Sequence, residues 1–104
     1  MPAAAVPSKR LPAILAWHVD FTDDAERTFR KLPKAEQTRI GRYITERLET
    51  RFDPKRFAKP LHGLRSGLWR WRVGDYRLIG RLQNATLVIL ILDIGHRREV
   101  YKTK

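Results

Sequence analysis

The chain has 104 residues, 42% of them hydrophobic and 32% charged, which suits one folded domain with a modest core. It has no cysteine, so disulfides and thiolate metal sites are excluded, and its longest apolar run, residues 87–92, is far too short to cross a membrane. Net charge is +11, and residues 54–104 hold 12 Lys/Arg against 3 Asp/Glu, so the positive field belongs to the second half and points to a polyanionic partner, nucleic acid first and an acidic protein second.

Residues 1–15, with Pro2, Pro7 and Pro12 among several alanines, are expected to form a flexible extension ahead of a single domain over 16–104. They lack the basic region and apolar core of a signal peptide, and the absence of cysteine suits a cytoplasmic protein. Residues 16–21 alternate, with Trp17, Val19 and Phe21 on one side and His18 and Asp20 on the other, and predict a first strand. Thr22 or Asp23 can cap a helix whose apolar stripe is Ala25, Phe29 and Leu32. Pro33 breaks it and opens a second helix, expected over residues 34–51, with Ile40, Tyr43, Ile44, Leu48 and Phe52 as its buried stripe. A loop follows from Asp53 and Pro54 through His62 and Gly63, carrying Lys55, Arg56 and Lys59.

Residues 68–79 read as two strands joined by Gly74-Asp75, with Gly74 supplying the positive φ of a type II′ turn. That turn pairs Val73 with Tyr76, Arg72 with Arg77, Trp71 with Leu78 and Arg70 with Ile79. Trp69, Trp71, Val73, Tyr76 and Leu78 then form a core face, and Arg70, Arg72 and Arg77, with Arg81 further along, form the other. Arg72 opposite Arg77 is a local conflict, since like charges across a strand pair cost roughly 0.2–1 kcal/mol. A rule broken in this way points to function, and guanidinium groups on a rigid sheet face suit phosphate. After a turn near Asn84, residues 86–94 form a hydrophobic strand expected to be central, and residues 96–101 close the chain's last segment. The order is βααβββ, an α+β fold with two helices packed on one face of a mainly antiparallel sheet.

Three scattered histidines without paired carboxylates offer no metal-ligand spacing, and neither a phosphate-cradling glycine motif nor a serine nucleophile with partners is evident. No cofactor is implied. What remains is a metal-free cationic site: Arg70, Arg72 and Arg77 on the sheet, Lys59 and His62 in the loop leading into it, and His96, Arg97 and Tyr101 past the hydrophobic strand. Such a group can bind RNA phosphates, and can cut RNA through the substrate's own 2′-hydroxyl by positioning it, neutralising the phosphate and moving protons. His96, with its near-neutral intrinsic pKa, suits the proton transfer.

Leu68-Trp69-Arg70-Trp71-Arg72-Val73-Gly74-Asp75-Tyr76-Arg77-Leu78-Ile79, Ile94-Gly95-His96-Arg97 and Glu99-Val100-Tyr101 resemble the RelE toxins of bacterial toxin–antitoxin pairs. Trp17-His18-Val19-Asp20-Phe21, Lys31-Leu32-Pro33, Asp53-Pro54 and Lys59-Pro60-Leu61-His62-Gly63 support the match, which covers residues 16–101. The resemblance implies an endoribonuclease that cleaves mRNA in the A site of the 70S ribosome, and a cognate acidic RelB-like antitoxin that blocks it in a hetero-oligomer. By position, Arg70 and Arg72 match the family's two basic strand residues, Arg77 its phosphate-stabilising arginine, Arg97 the arginine beyond the last strand, and Tyr101 the tyrosine that stacks on a base or assists catalysis. In the best-known member the two strand positions are lysines, one serving as general base. Arginine stays protonated and is a poor base, so His96 is the preferred proton-transfer residue, with His62 behind it. Arg81 and Lys59 complete the RNA-binding set. The ParE branch shares the fold but inhibits DNA gyrase, which is the alternative activity.

Overall fold

A computed structural model describes residues 16–96. Its strands are β1 (His18–Phe21), β2 (Ala58–Pro60), β3 (Trp69–Val73), β4 (Tyr76–Gln83) and β5 (Val88–His96), and its helices are α1 (Asp23–Lys31) and α2 (Lys34–Tyr43). The five strands lie in the order β1-β5-β4-β3-β2. β1 runs parallel to β5, and every other pair is antiparallel. The fold is α+β, as the sequence predicts, with one strand more. No helix among the described residues is long and apolar enough to cross a membrane.

Local chemistry sets most boundaries. Thr22 caps α1, its hydroxyl accepting the Ala25 N–H at 3.2 Å. Pro33 sits at the N-cap of α2. This second helix is shorter than expected. It passes into a π turn over Ile44–Leu48 and stops, with Glu49 at φ −87°, ψ 63°. The reason lies across the fold, where the Glu49 carboxylate accepts the Val19 N–H at 3.0 Å and the Thr50 carbonyl accepts the Trp17 N–H at 2.8 Å. These groups serve the edge of β1 instead of another helical turn. Phe52 falls beyond the helix and is 56% exposed, with the Arg56 guanidinium 5.1 Å over its ring, so it is not part of the buried stripe.

Ala25, Ile40, Ile44 and Leu48 from the helical side meet Val19, Trp71, Val73, Leu78, Ile89, Ile91 and Ile94 from the sheet in a single core cluster. The Trp71 indole N–H donates to the buried Pro54 carbonyl at 2.9 Å, pinning the turn that leads into β2. β2 lies where the sequence suggests only loop; three residues ending in a proline carry too little signal, and edge strands tolerate that proline. At the β3–β4 hairpin, Gly74 has φ 62° and Asp75 keeps negative φ, the pattern of a type II′ turn. Opposite Gly80 the β4–β5 register shifts, and Leu92 is the extra residue. A Cβ on Gly80 would meet the Leu90 carbonyl oxygen at 2.8 Å and the Trp71 ring at 3.3 Å, so the bulge and the indole both require glycine there.

Candidate active site

The strand register builds two rows across the sheet face turned away from the helices. Lys59, Arg70, Ile79 and Asp93 form one across β2 to β5, and Arg72, Arg77 and Gly95 form the next. Directly paired residues share a face, and residues two apart on a strand do too. The predicted opposition of Arg72 and Arg77 is present. Arg81 lies on the same face, past the bulge, and is exposed.

Burial differs sharply along these rows. Arg77 is only 4% exposed, whereas Arg72 and Lys59 are open to solvent and Arg70 is intermediate. The sequence pattern alone suggests an open face for all of them. Ile79 is fully buried on this face, outside the core cluster. Part of the cover comes from the loop between β2 and β3. Its ends are closed by the Leu61 N–H donating to the Leu68 carbonyl at 3.0 Å, and Gly63 and Gly67 turn it with positive φ. From that loop Arg65 Nη2 reaches 3.6 Å from Asp93 Oδ2, across to β5. His62 opens the loop and is exposed, and Leu64 stands fully exposed at its tip.

His96 stands apart from the arginines. β5 runs to His96 instead of ending near residue 94, so the alternation of faces extends through it. Gly95 takes the arginine face opposite Arg77, and His96 pairs with Tyr76 on the helix side, the two rings edge to face with centroids 5.5 Å apart. The expected residues Arg97 and Tyr101 lie outside the described residues, as does the extension over 1–15. Asp93 and Arg65 also meet on this face, and no motif in the sequence singles them out. Counting alternate residues back from Gly95 finds Asp93, but only once β5 is known to reach His96.

A second basic feature flanks the hairpin. Arg39, Arg42, Arg47 and Arg72, with Tyr43 and Glu46, line a shallow cleft of about 270 Å³ beside the β3–β4 turn. Burial pushes the Tyr43 phenol above its ordinary value, and the neighbouring Arg47 guanidinium offsets part of that rise. Among the described residues no three His, Asp or Glu side chains gather in a way that could hold a metal ion.

The family model for the ParE toxin of type II toxin–antitoxin system, parDE, matches residues 15–101. Toxin RelG of Mycobacterium tuberculosis is 30% identical over 88 residues, which cover 85% of this chain and 99% of RelG. Among solved structures, the Mycobacterium tuberculosis toxin–antitoxin complex RelBE2 is similar with a TM-score of 0.71 at 32% identity, covering 79% of this chain and 99% of that one. The archaeal RelE–RelB complex from Pyrococcus horikoshii follows at 0.61 and 27%, covering 78% and 94%. The isolated E. coli RelE toxin, at 0.62 and 23% identity over 85% and 94% of the two chains, shares the fold. The chain therefore belongs to the ParE toxin family and is a toxin of a type II toxin–antitoxin pair in the RelE/ParE superfamily.

Proposed function

We propose that this toxin is a metal-independent endoribonuclease that cuts mRNA in the ribosomal A site and so stops translation. The observation that carries the reading is the Arg72–Arg77 pair on the outer sheet face, one guanidinium exposed and the other 4% exposed. Burying a charge is costly, and a buried guanidinium is held in one orientation. With Arg70 and Lys59 in the adjoining row, the face supplies paired donors and fixed positive charge for successive phosphates of one strand.

In this reading the exposed Arg72 holds the scissile phosphate, and the buried Arg77 paired with it adds fixed positive charge, together neutralising the charge that grows as the substrate's 2′-hydroxyl attacks in line. Arg70, Lys59 and Arg81 hold flanking phosphates, and His62 approaches from the loop. Arg97 and Tyr101 would enter from the segment beyond β5, the tyrosine stacking on a base. The partner is an acidic RelB-like antitoxin in a cytoplasmic hetero-oligomer. Support comes from the similar complexes with RelB and from the +11 charge of this chain, which speeds capture of an acidic protein.

The ParE name of the matching family model favours a second reading, inhibition of DNA gyrase. Primer extension on mRNA programmed into 70S ribosomes separates the two. The first reading expects a cut within the A-site codon that Arg72→Ala and Arg77→Ala both abolish. A folded protein that leaves the message intact but blocks gyrase supercoiling would establish the second.

A further inference from the structure

We propose that Asp93 is the general base of the cleavage reaction, an inference that rests on the ribonuclease reading above. The arginines of the outer face stay protonated at any physiological pH and cannot take the 2′-hydroxyl proton. His96 pairs with Tyr76 on the opposite face. Besides His62, exposed in the loop before β3, the face carries two carboxylates among the described residues that could accept this proton.

Asp20 is the remote one. It sits on the edge strand β1, in the row of Arg81 and Leu90 beyond the bulge, with the His18 ring nitrogen 3.4 Å from its carboxylate. Asp93 lies on β5 next to β4, opposite Ile79 and one diagonal step from Arg77, whose direct partner is Gly95. Diagonal neighbours on paired strands lie about 7–8 Å apart. At that backbone spacing both side chains face one nucleotide, so the carboxylate can meet a 2′-hydroxyl while the arginine's charge lies beside the adjoining phosphate.

The surroundings fit the role. The Asp93 side chain is 44% exposed, so a substrate strand on the arginine face can reach it. Arg65 approaches its Oδ2 at 3.6 Å, which ties the loop between β2 and β3 to this carboxylate. The extra residue Leu92 belongs to this geometry, because the bulge sets which face Asp93 occupies.

The step balances without a co-reactant. Asp93 takes the proton from the 2′-hydroxyl, the O2′–P bond forms, and the P–O5′ bond breaks with its electron pair leaving on O5′. That oxygen takes a proton from water, Asp93 returns its own to water, and the products are a 2′,3′-cyclic phosphate and a 5′-hydroxyl.

The test is single-turnover cleavage of mRNA on programmed 70S ribosomes between pH 5 and 9. It compares the wild type with Asp93→Asn, Asp93→Glu, Arg65→Gln and His62→Gln, each checked for folding and ribosome binding. Asp93→Asn should slow cleavage roughly 10²–10⁴-fold with binding kept. Asp93→Glu should recover part of the rate, and Arg65→Gln, which removes the tie but keeps the carboxylate, should stay far faster than Asp93→Asn. Asp93→Asn cutting as fast as the wild type overturns the assignment. So does Arg65→Gln falling as far as Asp93→Asn, which would make the ion pair the working unit, or His62→Gln alone showing the large loss. A wild type that cuts nothing on ribosomes removes the ribonuclease reading itself, and the base with it.

Discussion

Trp71→Phe tests how the arginine face is supported. The indole is fully buried, its N–H donates to the Pro54 carbonyl at 2.9 Å, and its ring lies against Gly80 of the neighbouring strand. Phenylalanine keeps most of the ring but leaves that carbonyl buried without its donor, a cost of about 1–3 kcal/mol. The missing ring volume, roughly 40 Å³ at about 24 cal/mol per Å³, adds about 1 kcal/mol. The sum is a loss of about 2–4 kcal/mol, or a fall in Tm of roughly 10–25 °C for a domain of this size. Urea and thermal unfolding of the two proteins give the number directly. Pro54 opens the turn into β2, so amide exchange in β2 should speed up more than in β4, and Lys59 should lose its fixed place beside Arg70. A loss below about 1 kcal/mol, or exchange rising equally in all strands, would refute the claim that this hydrogen bond ties β2 to the sheet.

Arg72→Gln relieves the like-charge pair with Arg77 and should stabilise the domain by roughly 0.2–1 kcal/mol in low salt, less in 0.5 M salt, while cleavage is lost; urea midpoints at both salt levels and the ribosome assay check this. Burial holds the Tyr43 phenol above its ordinary value of 10.0, so the folded protein keeps a proton that the unfolded chain releases. The resulting stability is intact below pH 10 and falls as pH rises through the raised value, and Tyr43→Phe should flatten that alkaline loss in urea midpoints taken between pH 9 and 11.

The hairpin was legible in the sequence because one glycine decides it. Once Gly74 adopts positive φ, alternation assigns each partner from Val73–Tyr76 to Arg70–Ile79. The helix stripe and the Thr22 cap were legible for a similar reason, since each rests on neighbours three or four residues away. What stayed hidden depends on distant contacts. The early end of the second helix follows from Glu49 and Thr50 bonding to β1, some 30 residues back. The bulge at Leu92 follows from the close approach of Gly80 to the Leu90 carbonyl and the Trp71 ring, and the burial of Arg77 is equally tertiary. The cationic set of Arg70, Arg72 and Arg77 could thus be read from local pattern, whereas the side of the sheet taken by His96 and Asp93 could not.

Whether the arginine face cuts RNA through the substrate's own 2′-hydroxyl is tested most sharply by changing the substrate. Two messages, identical except for a 2′-deoxy sugar at the scissile nucleotide, are placed in the A site of 70S ribosomes and incubated with the wild-type toxin. Only the all-ribose message should be cut, leaving a 2′,3′-cyclic phosphate on the upstream fragment. Equal cutting of the deoxy message, or an upstream fragment ending in a free 3′-hydroxyl, would contradict attack by the 2′-hydroxyl.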